Sequence, residues 1–364
     1  MHKTLTILLL AVILHQSVAA QSTLIDAQAV SIPATMAAST ETLSTYIAQN
    51  FSTDTARVRA IYVWVANNIS YDVERLKQRE KEPKGPPQPV ADVLQSRSAV
   101  CQGYADLFVA LCKGVGINAT VVSGYTKKGG VVSPISHAWV AAEVDGAWWT
   151  FDPTWGAGYV RDDRFVKAFN NKFYKMHPFA ILADHMPFDP MLQFLDHPLT
   201  NEEFINGRPP ATKTVFNYRD SLQQFQTLTK QQQLEARLRR LEAAGVRNSL
   251  LEEHRQHLKQ GLQSFASKDA FEEAGTLFKS VKDRYQEYLE YRKQRFTTID
   301  NAKLRSLMDG MTTDLRQARQ TLLDVQPRTD QQRAAKGNNL SNLDRFGAVL
   351  SREKEFVDNY LAGK

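Results

Sequence analysis

The chain of 364 residues carries 45 Lys and Arg against 39 Asp and Glu, so its formal net charge is +6. Hydrophobic residues make up 43% of the sequence and aromatic residues 10%, an ordinary globular composition that excludes wholesale disorder. A chain of this length rarely folds around one core, so at least two domains are expected.

The first 20 residues have the pattern of a signal peptide. A positive charge at Lys3 precedes an apolar run at residues 4–14 that is too short to span a bilayer, and small residues at 17–20 favour cleavage before Gln21. No cysteine lies near this site to carry a lipid anchor, and no later apolar stretch is long enough for an integral membrane segment. We therefore expect a periplasmic or secreted protein.

Two helices are predicted before a proline-rich loop. Residues 40–49 and 54–68 have helical periodicity, and apolar side chains in the second segment recur every three or four positions. Residues 82–89 are rich in proline and lysine. They predict a surface connector, with a proline-rich ligand for another domain as the alternative.

The clearest predicted helix follows residues 93–101. It ends at Gly114 and Gly116, because glycine is the residue that most readily terminates a helix. Its apolar side chains form one stripe with helical spacing: Tyr104, Leu107, Phe108, Leu111 and Cys112.

Three strands are predicted after this helix. Residues 119–125 contain a run of β-branched side chains, and residues 136–144 and 147–151 flank the tight turn Asp145–Gly146. A helix followed by antiparallel strands predicts an α+β domain.

The remaining sequence divides into two parts. Residues 160–212 combine prolines and histidines with apolar side chains but have little periodicity, which predicts irregular structure packed on the first domain. From residue 213 onward prolines almost vanish, which predicts a helical bundle or long hairpins. This half holds 27 Lys and Arg against 20 Asp and Glu. The excess charge fits a solvated helical surface or a docking face for an acidic envelope partner.

The two cysteines are expected to be free and to differ in character. If Cys101 and Cys112 lie eleven positions apart on one helix, their Cα atoms are about 16 Å apart, whereas a disulfide needs about 4.4 to 6.8 Å. Cys101 lies where a loop gives way to the helix, and unpaired N–H groups and the helix dipole favour a thiolate there. Its own N–H can also face an oxyanion. Cys112 is typical of a buried structural cysteine.

A base and an orienting acceptor for the thiol are predicted on the hairpin. With a two-residue turn at Asp145–Gly146, the register places Trp139 opposite Asp152. His137 lies two positions from Trp139 on the same face of the sheet. His137 and Asp152 are therefore diagonal neighbours, with Cβ atoms about 7 to 8 Å apart. A slip of one residue would place them on opposite faces.

Three motifs resemble the transglutaminase-like superfamily, over about residues 55–160. They are Ala99-Val100-Cys101-Gln102-Gly103-Tyr104-Ala105, Ser136-His137-Ala138-Trp139-Val140 and Trp149-Thr150-Phe151-Asp152-Pro153-Thr154-Trp155. The resemblance implies a papain-like cysteine acyl-transfer fold in a bacterial exported member. It also implies that Cys101 attacks an amide or ester carbonyl, that His137 is the base and that Asp152 orients it. Ala99 and Val100 stand where a glycine often precedes the cysteine.

Other residues carry weaker signals. Gln95, six residues before Cys101, has a spacing reminiscent of papain-like enzymes and is a candidate second oxyanion donor, with a surface glutamine as the alternative. Three tryptophans either wall a cleft or pack in the core: Trp139, Trp149 and Trp155.

No cofactor, metal or nucleic acid is expected. Three histidines are scattered among prolines without the spacing of a zinc site: His177, His185 and His197. The sequence has no phosphate-binding loop and no dinucleotide fingerprint. It also has no nucleic-acid recognition motif.

The predicted organisation is a signal peptide at 1–20, a transglutaminase-like α+β domain with an antiparallel sheet at 21–212, and an all-α region at 213–364. The core of the catalytic domain lies at 55–160 and its irregular extension at 160–212. The predicted function is an exported cysteine acyl-transfer enzyme that hydrolyses bonds of a peptide or protein substrate. Transfer to an amine, giving crosslinks, and a catalytically silent binding or scaffold module in the cell envelope are the alternatives. An intact triad favours catalysis.

Overall fold

The computed structural model describes residues 22–81, 87–207, 215–327 and 329–363. The predicted signal peptide, part of the predicted loop at 82–89 and the predicted boundary between residues 212 and 213 lie outside the described residues. The chain divides into two compact units. The first holds the residues up to Thr229 together with Ala236–Gln256, and the second holds Lys230–Glu235 and His257–Lys364.

Helices occupy much of both units. In chain order they are α1 over residues 22–30, α2 Thr40–Asn50, α3 Asp54–Asn68, α4 Val73–Lys81, α5 Val90–Ser96, α6 Cys101–Gly114, α7 Pro153–Ala157, α8 Pro178–Ile181, α9 Asn201–Asn206, α10 Tyr218–Thr227, α11 Lys230–Ala244, α12 Ser249–Lys293, α13 Asn301–Asp324 and α14 Asp330–Ala362. Short 3₁₀ turns lie at Asn171–Phe173 and Pro190–Gln193.

The first predicted helices are confirmed and have side-chain caps. Ser39 forms a capping box with Thr42 at the start of α2, and Thr53 accepts the N–H of Ala56 at the start of α3. Each cap satisfies one of the backbone donors that a helix leaves unpaired at its beginning.

Strands form one four-stranded antiparallel sheet and two small pairs. In chain order they are β1 Ser70–Tyr71, β2 Ser98–Ala99, β3 Ala119–Lys128, β4 Val131–Val144, β5 Ala147–Phe151, β6 Gly158–Arg161, β7 Arg164–Lys167 and β8 His185–Pro187. The large sheet has the order β5-β4-β3-β8, β1 pairs with β2 in parallel, and β6 pairs with β7 as a hairpin.

The sheet buries both of its faces. Along β4, Ala138, Val140 and Ala142 pack into the cluster that contains the apolar faces of α3 and α6, whereas Trp139 and Ala141 pack into a second cluster. This alternation follows from the two-residue period of a strand. The predicted α+β fold is therefore confirmed for this unit.

The segment at 160–212 contains more regular structure than the predicted irregular extension. It provides the β6–β7 hairpin and the edge strand β8, which pairs with β3 through Gly124↔Pro187 and Thr126↔His185. Strand β8 has three residues and ends in a proline, so its sequence has no measurable periodicity.

The second unit is helical, as predicted. Parts of α12, α13 and α14 share one apolar core that includes Val281, Tyr288, Met311, Leu315 and Leu350. No helix among the described residues has both the length and the apolar character required to cross a membrane.

Candidate active site

Cys101 is the first residue of α6. Val100 precedes it in extended conformation and provides no side-chain cap, so the N–H groups of the first turn have no side-chain acceptor from this position. The Cys101 side chain is partly exposed and Cys112, on the same helix, is buried. Both cysteines are free, as expected.

The β4–β5 hairpin brings His137 and Asp152 together. Asp145 and Gly146 have φ angles of 53° and 75°, so the turn has the two left-handed residues of a type I′ hairpin. Val144 pairs with Ala147, which is the predicted register. His137 Nε2 lies 2.8 Å from Asp152 Oδ2, so the predicted diagonal contact is confirmed.

Asp152 is fully buried, and both of its carboxylate oxygens have partners. Oδ1 accepts the backbone N–H groups of Thr154 and Trp155, at 2.9 and 3.0 Å, at the start of α7. Oδ2 faces His137 and, at 3.1 Å, Nε2 of His185. Burial alone raises the pKa of this carboxyl group, but the two histidines hold the net pKa well below its ordinary value.

The Cys101 thiol interacts with the His137 ring. Burial raises the pKa of the thiol, but the interaction with His137 and its charge, together with the Ala138 backbone, bring the pKa below its ordinary value. Burial lowers the pKa of His137, but Asp152 raises it well above the ordinary value. Because the two pKa values move in opposite directions, the site favours a thiolate–imidazolium pair.

His185 was missed by the sequence interpretation, which grouped it with His177 and His197. The structure buries His185 completely against Asp152, while His177 and His197 are exposed. Among the described residues, ligand-type atoms of His137, Asp152 and His185 lie within 4.8 Å of one another, so these three could hold a metal ion. They are already hydrogen-bonded to one another through Asp152.

Aromatic rings enclose the histidines. Trp155 lies 5.5 Å from His137 and 4.5 Å from His185, between ring centroids. Trp139 lies 6.1 Å from His137 and 5.1 Å from His185. Trp149 instead contacts His177, at 6.3 Å. Two of the three predicted cleft tryptophans therefore contact the site.

A cleft of about 840 Å³ opens beside His137 and Trp155. Its wall includes aromatic side chains from the β6–β7 hairpin, among them Tyr159 and Phe165, and polar ones such as Lys172 and Asp184. Its size is within the usual range for ligand sites in proteins.

Gln95 has an exposed side chain on α5. Its role as an oxyanion donor stays a prediction. The N–H of Cys101 itself, at the start of α6, is a backbone donor that could face an oxyanion.

In this unit a helix that begins with a cysteine packs on an antiparallel sheet. Residues 41–153 match the family model of the transglutaminase-like superfamily. This part of the chain is therefore a transglutaminase-like domain.

Similar proteins include the kyphoscoliosis peptidases of Mus musculus and Homo sapiens. Each is 32% identical over 167 residues, which cover 44% of this chain and 25% of the relative. The chain thus spans about a quarter of the length of these curated relatives.

Two solved structures are also similar to parts of the chain. A candidate cysteine protease from Cytophaga hutchinsonii is 26% identical with a TM-score of 0.25, over 33% of this chain and 39% of that chain. A TGase is 21% identical with a TM-score of 0.27, over 37% of this chain and 36% of that chain.

Proposed function

We propose that this protein is a cysteine acyl-transfer enzyme that hydrolyses peptide or amide bonds. Cys101 is the nucleophile, His137 is the general base and acid, and Asp152 orients His137. The observation that carries the proposal is the chain of contacts from the thiol through the imidazole to a buried carboxylate.

The reaction follows from the charges of these groups. The Cys101 thiolate attacks the carbonyl carbon, and the N–H at the start of α6 faces the oxyanion that forms. His137 gives its proton to the amine nitrogen, the C–N bond breaks, and a thioester to Cys101 remains. His137 then takes a proton from water, whose oxygen attacks the thioester. The acid product leaves, and the thiolate–imidazolium pair is restored.

Two observations support peptide hydrolysis over other acyl transfers. Two relatives similar to this region are named kyphoscoliosis peptidases, and the cleft beside His137 has the volume of a ligand site. Water also needs no second binding site, whereas crosslinking requires a site for the acceptor amine.

Turnover of a peptide and amide library tests the proposal. We expect the wild-type chain to release free amines and acids, and Cys101→Ala to lower the rate on the order of 10⁴-fold or more. Cys112→Ala, which removes the other thiol of the same helix, is the matched control and should keep turnover.

The products distinguish hydrolysis from amine transfer. Adding a primary amine should leave the acid as the main product. A new amide as the main product would replace the hydrolase by a crosslinking enzyme, and turnover that persists in Cys101→Ala would remove the proposed nucleophile.

A further inference from the structure

His185 is the second imidazole on Asp152, and the proposed mechanism gives it no step. Its Nε2 lies 3.1 Å from the carboxylate oxygen that His137 Nε2 contacts at 2.8 Å. The ring is completely buried in β8. One oxygen of Asp152 therefore faces two histidines from different strands.

The other nitrogen of His185 faces a second carboxylate. Its Nδ1 is hydrogen-bonded to Oδ1 of Asp184, whose other oxygen lies 3.6 Å from Lys172 Nζ. Ionised carboxylates only accept hydrogen bonds, so a ring between two of them needs an N–H on each side. His185 therefore bridges two carboxylates through its two ring nitrogens.

Aromatic side chains surround the His185 ring and Asp152. Trp155, Trp139 and Phe173 contact the His185 ring, with centroids at 4.5, 5.1 and 6.2 Å. These apolar rings exclude water, and an unpaired charge is costly in such a place. Asp152 is fully buried there, so a cationic partner stabilises its charge.

That partner cannot be His137 throughout the cycle. When His137 gives its proton to the leaving amine it becomes neutral, and Asp152 loses that cationic partner. His185 takes no part in this transfer and keeps its contact with Asp152.

We propose that His185 acts as a cation between these two carboxylates and is a positioning residue that works through Asp152. Its charge keeps Asp152 paired while His137 is neutral and repels the proton on His137, which makes that proton easier to release to the leaving group. This inference rests on the proposed function.

The test compares two reactions of the same thiol. Alkylation of Cys101 by iodoacetamide expels iodide and needs no proton from His137, whereas acylation by a peptide does. In His185→Gln, which keeps a donor but no charge, we expect alkylation within about twofold of wild type. We expect kcat to fall about tenfold or more, because one pKa unit at His137 corresponds to a factor of ten. His197→Gln, an exposed histidine from the same segment, is the matched control.

A second variant and an NMR titration test the same inference independently. Asp184→Asn leaves the buried ring in place but removes its outer anion, so it should lower kcat in the same direction and less. NMR titration of the His137 ring nitrogens should show that His137 loses its proton at higher pH in His185→Gln than in wild type. This measurement needs no substrate.

Three results would overturn the inference about His185. Unchanged kcat together with unchanged His137 titration would overturn the inference and leave the proposed function standing. Equal losses of alkylation and kcat would mean that His185 only maintains the fold, which also overturns it. A wild-type chain without turnover on any amide would overturn the proposed function and this inference with it.

Discussion

At the scale of residues, the two cysteines show how position on one helix sets reactivity. Cys101 and Cys112 both lie in α6, and both are removed from bulk water to some degree. Burial raises the pKa of Cys112 far above its ordinary value. At Cys101 burial acts in the same direction and is the largest single cause, but the interactions with His137 and the Ala138 backbone together outweigh it. The surroundings of each cysteine, above all the neighbouring imidazole at Cys101, therefore set the pKa of its thiol.

This difference predicts the pH dependence of labelling. Because the pKa of Cys101 is lowered, its thiolate should form below the ordinary thiol value of about 8.5, and iodoacetamide should label it faster than Cys112 at pH 7. His137→Ala removes the charge and leaves burial, so the midpoint should move to higher pH. The rate at pH 7 should fall about tenfold for each unit of that shift.

Mass spectrometry of the two cysteine peptides measures these rates. Equal labelling of both cysteines in the folded protein, or a His137→Ala profile identical to that of wild type, would contradict an activated thiol.

At the scale of elements, strand β8 completes the site. It brings His185 to Asp152, and its pairing with β3 depends on a glycine at the point of closest approach. Gly124 lies opposite both His137 in β4 and Pro187 in β8. A Cβ atom there would lie well inside contact distance of the Met186 carbonyl oxygen and the Trp139 ring. The absence of a side chain at Gly124 therefore lets β8 dock beside the histidine strand.

Gly124→Ala should consequently destabilise the first unit by about 1 to 3 kcal/mol, the usual cost of overpacking, because neither the backbone oxygen nor the buried ring can move away freely. All five tryptophans lie between Trp64 and Trp155, so denaturant unfolding followed by their fluorescence reports this unit.

Gly275→Ala in α12 is the control, since a Cβ atom there meets open space and alanine favours a helix by up to about 1 kcal/mol. Unchanged stability of Gly124→Ala would show that β8 tolerates a shift away from β3.

At the scale of the whole molecule, each compact unit has its own apolar core. The first unit packs α3 and α6 against the sheet, and the second packs residues of α12 to α14 around Met311. A unit with a separate core is expected to have its own unfolding transition.

Met311→Ala should therefore destabilise the second unit by about 2 to 5 kcal/mol, because it leaves a cavity at a completely buried position. In denaturant unfolding, the midpoint measured by tryptophan fluorescence should stay at the wild-type denaturant concentration. The helical signal in circular dichroism should begin to fall at a lower denaturant concentration. Leu107→Ala, an equally buried change in α6, should give the reverse pattern. A single shared transition in both variants would show that the units unfold together.

Much of the fold and three residues of the site follow from local patterns. The helical stripe predicts α6, and the turn Asp145–Gly146 sets the register that brings His137 to Asp152. Such features depend on residues close in the chain, whose spacing a regular helix or hairpin converts directly into geometry. Gln95 was inferred from spacing alone, and the structure leaves it exposed and its role untested.

The sequence by itself determined the hairpin that carries His137 and Asp152, and the helix that begins at Cys101, because short-range periodicity specifies both. Only the tertiary structure decided that His185, rather than His177 or His197, joins them. It lies 33 residues beyond Asp152 on a three-residue strand, and its position depends on pairing with β3. Pairing between distant segments depends on the packing of the whole sheet, which no local pattern of residues contains.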